Sequence, residues 1–276
     1  MKKILTIITL LLVAATLFAQ EATEPTYDLS YKFKAKEVQK SYAKIDINGQ
    51  MNTMSQVMPY KSTFDGIMTQ TTSEITKEGT AKNIISYDIK DIKSSDMSTS
   101  EMVKPKTIGF EMDPKGKLYN VLNEKGEVTQ KLASATGIFP AKEVKVGETW
   151  DCITNVSGIS LNAKSTLTEV KDSKDGKLAT IITVIDTPLD VNQMMQLMGM
   201  STAAWGAYDQ MQVMAYCKGE NKTIFNIDKG QSTEEKVQSQ VYLEGSMYQQ
   251  IIMQAQFQIN YDKKLFTKED LDKYAK

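Results

Sequence analysis

The chain contains no histidine among its 276 residues, and all of its cationic side chains are lysine because arginine is absent as well. Without histidine, Ser-His-Asp and Cys-His catalytic arrangements and histidine-ligated zinc, copper or iron sites are excluded. Acid–base chemistry would fall on carboxylates, lysine or tyrosine. Without arginine, no guanidinium fork is present to bind phosphate or carboxylate in a bidentate manner.

Positive and negative charges nearly balance. The chain has 33 lysines against 34 acidic residues, a net charge of −1. This balance provides no electrostatic attraction to nucleic acid, so no nucleic-acid partner is expected. A glycine-rich phosphate loop, a nucleophile elbow and a metal-binding motif are also missing. The sequence therefore predicts a protein that is not an enzyme, with no catalytic, cofactor-binding or metal-binding residues.

The N-terminus has the three parts of a secretory signal peptide. Lys2 and Lys3 precede an uncharged apolar run from Ile4 to Phe18, and Ala19 supplies a small residue for cleavage. The run is shorter than the roughly 20 residues that cross a bilayer. We therefore predict a signal peptide over 1–19 and an exported mature chain, periplasmic or extracellular, that has no transmembrane span.

The chain has two cysteines, Cys152 and Cys217. An even number in an exported protein favours one disulfide between them. The alternative is a pair of separate buried thiols, which behave as small apolar side chains.

Alternation of apolar and polar residues dominates the sequence. Between Ile251 and Tyr261, every second residue is apolar and most of the residues between them are glutamine. Such alternation is typical of antiparallel strands with one buried and one solvated face. Glycine-containing turns separate the runs, as at Lys77-Glu78-Gly79 and Asp228-Lys229-Gly230. These patterns predict a mainly β protein.

A weak internal repeat divides the chain in two. Phe110 to Gly116 resembles Phe225 to Gly230, and Thr76 to Ala81 resembles Lys174 to Ala179. Two related β units would explain the shared order, whereas generic hairpin turns can also match by chance. The predicted division is a first β unit over 20–140, a second β unit over 141–262 and a C-terminal helical tail over 263–276.

Methionine is abundant, with 16 residues, and part of it has helical spacing. After Asp190, a capping residue, four apolar residues follow the i, i+3, i+4, i+7 pattern and predict a helix near 189–200. This stripe is a candidate surface for an apolar ligand, because methionine adapts to varied apolar partners. The alternative is that the stripe packs in the core. Its residues are Val191, Met194, Met195 and Met198.

The passage from Phe139 to Trp150, FPAKEVKVGETW, carries a family resemblance. It resembles the Pro…Val-Gly-Glu-x-Trp motif of a family of exported β-rich proteins of Gram-negative bacteria whose function is unknown. The resemblance implies export and strongly curved antiparallel sheets. The expected fold class is thus mainly β, with two related, strongly curved, half-barrel-like antiparallel sheets and one or two short helices. Similar sheets wrap around a helix in periplasmic lipoprotein carriers, which is an analogy of fold alone.

Three functions fit these features. The first is binding of a hydrophobic or amphipathic partner, such as a lipid, a lipoprotein or an envelope protein, at the methionine stripe. The second is a structural or assembly role in the cell envelope. The third is copper binding by the thioethers of 194–200, where only Cys217 offers a further soft ligand nearby.

Overall fold

Alternating apolar and polar side chains form long antiparallel strands over most of the chain. The computed structural model describes residues 24–54, 56–94, 107–132, 136–156, 159–189, 211–248, 250–267 and 269–271. Within these residues there are twelve strands: β1 (Val38–Thr53), β2 (Val57–Ile75), β3 (Ala81–Ser94), β4 (Ile108–Met112), β5 (Leu118–Leu122), β6 (Val128–Lys131), β7 (Thr149–Val156), β8 (Ile159–Ser173), β9 (Gly176–Pro188), β10 (Met211–Asn226), β11 (Gln231–Met247) and β12 (Gln250–Leu265).

The twelve strands belong to one antiparallel sheet in the order β6-β5-β4-β3-β2-β1-β12-β11-β10-β9-β8-β7. The chain starts in the middle of the sheet, moves outward to β6, crosses to β7 at the opposite edge and returns strand by strand to the middle. The first and last strands pair over a long register, from Ser41 opposite Leu265 to Thr53 opposite Met253. The mainly β, antiparallel prediction is confirmed.

The sequence predicted two sheets, whereas the structure has one, because β1 pairs with β12 and joins the two halves. A strand presents unpaired backbone groups along each free side, and pairing two such sides satisfies them. The repeated turns nevertheless have equivalent places in the order of strands along the chain. The turn 113–117 joins the fourth and fifth strands of the first half, and the turn 226–230 joins the fourth and fifth strands of the second half. That the halves are related by duplication stays a prediction.

The two ends of the central strands differ in charge. We call one end the charged end, because each of its turns contains lysine together with aspartate or glutamate. These turns are 76–80, 113–117, 173–176 and 226–230. We call the opposite end the neutral end, because the hairpin turns 53–57 and 247–250 of the central strands contain no charged residue.

Two extended segments cross the sheet at the charged end. The N-terminal segment 24–36 pairs with the connection between β6 and β7 through a bridge of Tyr27 with Val144. The Tyr31 amide donates to the Pro114 carbonyl (2.7 Å), and the Lys32 amide donates to the Gly230 carbonyl (3.1 Å). One short segment therefore holds turns from both halves of the sheet.

An aromatic cluster forms where the crossing segments pack on the sheet. The ring centroids of Phe139 and Phe225 are 4.7 Å apart, and Tyr31 lies 5.0 Å from Phe139 and 5.7 Å from Phe225. Offset and edge contacts of this kind add to the free energy gained from apolar burial. Leu29, Val144 and Leu167, all fully or almost fully buried, complete the cluster.

The C-terminal residues begin as strand rather than helix. β12 extends to Leu265, and the described helical residues are 269–271. Thr267 caps them, because its hydroxyl accepts from the Asp270 amide (3.2 Å) while the Asp270 carboxylate accepts from the Thr267 amide (2.9 Å).

Gly230 provides a test of the contact that joins the crossing segment to the sheet. Its φ is 63°, and a Cβ built there would lie 2.4 Å from the Lys32 nitrogen. Gly126 also has a positive φ, 81°, but a Cβ there would meet no atom within 4 Å. We expect Gly126→Ala to lower the free energy of unfolding by about 1 kcal/mol, and Gly230→Ala by about 2–4 kcal/mol, since it adds a steric clash to the same strain. Urea unfolding of both variants measures the difference, and equal losses would contradict it.

Candidate functional site

One face of the sheet, the inner face, carries both hydrophobic clusters of the structure. Pairing registers place Ile45, Phe64 and Tyr261 side by side on it, while Lys44 and Asp262 point to the opposite, outer face. The first cluster is the aromatic one at the charged end. The second lies on β7 to β10 and just after β9, and it contains Cys152, Leu161, Ala163, Ile185, Leu189, Ala215 and Cys217.

Trp150 joins the two clusters at the start of β7. Its ring packs against residues of both, and its indole Nε1 donates to the Ile138 carbonyl at 2.9 Å. The side chain thereby buries a large apolar area and satisfies its polar atom. Trp150 anchors β7 to the segment that crosses the sheet before it.

Both cysteines are free thiols in the structure, and both are buried. Cys152 is on β7 and Cys217 on β10, so that β8 and β9 lie between them. Three interstrand steps correspond to about 14 Å, whereas a disulfide requires Cα atoms within about 7 Å. The bridge favoured by the sequence is therefore not formed in this arrangement. Burial raises the pKa of both thiols.

An ion pair lies on the inner face at the middle of the sheet. Lys263 Nζ is 2.9 Å from Glu235 Oε1, and the two side chains are only 13% and 24% exposed. Burial alone would raise the pKa of Glu235, but the Lys263 ammonium beside it outweighs that effect, so this pKa lies below its usual value. The carboxylate and ammonium thus stay charged within an apolar layer.

Tyrosines surround this ion pair. Burial raises the pKa of Tyr261 well above its usual value and also raises that of Tyr87, and the Glu235 carboxylate acts in the same direction on both. Tyr31 of the crossing segment is raised for the same two reasons. The three phenols therefore remain neutral hydrogen-bond donors at ordinary pH.

A cleft lies beside the ion pair, on β1, β2 and β3. Ala43 is directly opposite Lys263 in the register, and Gly66 is opposite Ala43. Because Ala43 and Gly66 have little or no side chain, the sheet surface is indented next to the charged pair. The cleft is lined by Ala43, Ile45, Phe64, Asp65, Gly66, Tyr87 and Ile89.

A strip of apolar side chains continues from this cleft toward the neutral end. We name it the central apolar strip: Ile45, Ile47, Tyr60, Phe64, Phe257 and Ile259. Except for Phe64, which is buried, its members are only partly buried, and none belongs to either cluster. The Tyr60 and Phe257 rings meet edge to face, 5.9 Å apart, beside Gly49, where a Cβ would lie 2.6 Å from Phe257 Cδ1.

The predicted methionine stripe of Val191, Met194, Met195 and Met198 lies outside the described residues, as do the predicted signal peptide over 1–19 and the thioethers of 194–200. In the described part of the chain, no group of three or more cysteine, aspartate or glutamate residues could hold a metal ion. Across that same part, no helix combines the length and the apolar character needed to cross a bilayer.

Comparison with known proteins finds a family model that matches the central part of the chain. Residues 123–232 match a family of unknown function, DUF6263. The match covers about two fifths of the chain, from the turn before β6 to the start of β11, and includes the passage from Phe139 to Trp150. No curated protein matches the chain.

Glu235 and Lys263 are not among the residues expected from the sequence. The alternation of the strands contains a sign of this pair. Glu235 is two residues from Val237 and Lys263 is two residues from Tyr261, so each charged residue falls at a position that faces the inner side of the sheet. A charged residue in the apolar phase of a strand indicates a buried ion pair when a partner of opposite charge stands on the neighbouring strand. Recognising the pair requires the β11–β12 register.

The cysteine geometry predicts a simple thiol result. We expect two thiols per chain to react with Ellman's reagent when the protein is unfolded without reductant. In the folded protein the reaction should be slow, because both thiols are buried and have raised pKa values. The thermal midpoint should be the same with and without reductant. A reductant-dependent fall in the midpoint would show a disulfide and contradict the structure.

The ion pair predicts a pH-dependent contribution to stability. A lowered pKa means that Glu235 stabilises the fold above the unfolded value of about 4.5, and that this stability is lost as the pH falls through the folded pKa. At pH 7 we expect Glu235→Gln to lower the unfolding free energy by about 3 kcal/mol, since Lys263 remains buried without its partner. The difference from the wild type should shrink below about pH 4.

The control is Asp151→Asn, which breaks a pair with Lys164 in which both side chains are largely exposed. We expect a much smaller loss than for Glu235→Gln, because solvent screens exposed pairs. Urea unfolding from pH 3 to 8 measures both variants. Equal losses, or a Glu235→Gln difference independent of pH, would contradict a buried pair.

Proposed function

We propose that this protein is an exported, non-enzymatic binding protein that holds a hydrophobic or amphipathic ligand, such as a lipid or the acyl chain of a lipoprotein, on the inner face of its sheet. The observation that carries the proposal is the central apolar strip. Its side chains belong to neither hydrophobic cluster, and all of them except Phe64 stay partly exposed in the middle of the sheet. Apolar surface of this kind is commonly a binding site.

Curvature of the sheet is part of the proposal, and the crossing segment supports it. In a flat sheet, β4 and β11 are five interstrand steps, or about 24 Å, apart. Yet Pro114, just after β4, and Gly230, just before β11, bond to consecutive residues, Tyr31 and Lys32. Their carbonyls therefore lie within about 10 Å of each other. This short distance supports the proposal that the sheet bends at the charged end and that its inner face is concave there.

The chemistry of the site favours an amphipathic ligand. The strip covers about 13 Å along β1 and β12, from the row of Ile45 to the row of Gly49. At one end of it lie the Glu235–Lys263 pair and neutral tyrosine hydroxyls, which offer both donors and an acceptor. An acyl chain along the strip would place a polar group either there or in solvent at the neutral end.

Export is supported by the N-terminal sequence, in which two lysines, an apolar run and Ala19 form a signal peptide. The mature protein would then work in the periplasm or outside the cell. Binding rather than catalysis is supported by the absence of histidine and by the neutral state of the tyrosines at the site.

Binding can be tested with N-phenyl-1-naphthylamine, whose fluorescence rises in an apolar site. We expect the wild-type protein to enhance the fluorescence and palmitate to displace the dye. Ile45→Gln and Ile259→Gln place an amide within the strip, and each should weaken dye affinity at least about fivefold, because a buried apolar contact is replaced by a polar group.

The matched control is Ile67→Gln, an isoleucine on the outer face of β2 that is also partly buried. Its dye affinity should equal that of the wild type, and circular dichroism should show that all three variants fold. If the wild-type protein does not enhance the dye, or if the inner-face and outer-face variants lose affinity equally, the proposal is wrong.

A further inference from the structure

The neutral end exposes apolar side chains on two neighbouring hairpins. At the β1–β2 hairpin, Met54 is 70% exposed and Val57 is 64% exposed; at the β11–β12 hairpin, Tyr248 is 71% exposed and Ile251 is 53% exposed. Because β1 pairs with β12 up to Thr53 opposite Met253, the hairpins lie side by side. We name these four residues, with the partly exposed Met58, the neutral tip.

Charge is absent from both hairpins over long stretches. No aspartate, glutamate or lysine occurs in 47–60 or in 245–261, although charged residues make up 24% of the chain. All four turns at the charged end, by contrast, contain lysine and an acid. Exposed apolar side chains on hairpin turns are normally interrupted by charge, so a neutral apolar end indicates a surface that contacts an apolar medium.

We infer that the neutral tip docks the protein on a lipid bilayer, with the two hairpins inserted into the interface of neutral phospholipid. The side chains suit this environment, since methionine, valine and isoleucine enter the acyl boundary and tyrosine is enriched at the membrane–water interface. The intervening polar residues are uncharged amides and hydroxyls, such as Asn52, Thr53 and Gln250, which hydrogen-bond to headgroups without a charged group being desolvated.

The position of the first charged residue limits the depth of insertion. Glu244, on the outer face of β11, is four residues from Tyr248, or about 13 Å along the strand. Interfacial segments bury their apolar side about 5–10 Å into the headgroup and acyl boundary. The registers place Glu244 in one row with Gln254, Asn52 and Val57, and Met54, Tyr248 and Ile251 lie beyond this row. These three side chains therefore enter the interface, while Val57 and Glu244 lie at its boundary with water.

Charge complementarity selects neutral lipid over an anionic surface. The tip has no lysine, and the whole chain has a net charge of −1, so anionic lipid offers no attraction. Binding should therefore depend little on salt or on phosphatidylglycerol content. The five side chains also protrude from two separate turns, a shape that fits a fluid interface.

The experiment is flotation of the mature protein with phosphatidylcholine vesicles, with and without phosphatidylglycerol. We expect the wild type to float with both, to a similar extent at low and high salt. The double variant Val57→Asp/Ile251→Asp puts one charge on each hairpin, and its bound fraction should fall at least about tenfold, because two exposed apolar contacts are lost and two charges would have to be desolvated.

The matched control is Val146→Asp, which changes a valine of similar exposure (47%) in the segment that crosses the charged end. It should float like the wild type. Wild-type protein that does not float, or a Val146→Asp loss equal to that of the double variant, would overturn the inference. So would a wild-type dimer that the double variant dissociates without any flotation, since the tip would then bind a second copy of the chain.

This inference concerns a different surface from the central apolar strip and does not depend on the proposed function. The two can fail separately. Naphthylamine binding in Val57→Asp/Ile251→Asp should equal that of the wild type, whereas Ile45→Gln should lose dye affinity and still float. If both variants lost both properties together, the tip and the strip would be one site, and the inference of a separate docking surface would be wrong.

Discussion

The pairing of β1 with β12 is the interaction on which the rest of the structure depends. It joins strands that begin and end the described fold, and its long register satisfies the backbone groups of both. It also brings Ala43 opposite Lys263 and Ile45 opposite Tyr261. The ion pair of β11 and β12 therefore lies next to the cleft of β1 to β3, and the central apolar strip runs across this seam. Two separate sheets would not bring these features together.

The inner face is organised as layers along the strands. At the charged end, aromatic rings and two crossing segments form a closed core; at the middle, Glu235 and Lys263 are paired among neutral tyrosines; beyond them the apolar strip leads to the neutral end. Removing charge from water is unfavourable unless it is paired, so the ion pair requires the β11–β12 register to be exact to the residue. A shift of one strand by one residue would turn one of the two groups to the outer face and leave the other buried without its partner.

Parts of this arrangement were predictable. Strand existence followed from alternation, and the turns at Gly79, Gly116 and Gly230 followed from residues that tolerate a positive φ. The burial of Glu235 was not predicted, because a glutamate next to Lys236 looks like part of a solvated face until its register partner is known. The favoured bridge between Cys152 and Cys217 was not formed, since the number of strands between two cysteines depends on the sheet order.

The amino-acid sequence by itself determined the mainly β character, the positions of the turns, the contrast between a charged and a neutral set of hairpins, and the lack of histidine chemistry. These are local properties, set by side-chain alternation and turn geometry over a few residues. Only the tertiary structure decided that one sheet forms, that Glu235 meets Lys263 and that Tyr31 and Lys32 hold both halves together. Such contacts join residues far apart in the chain, and many strands of similar pattern could pair with one another.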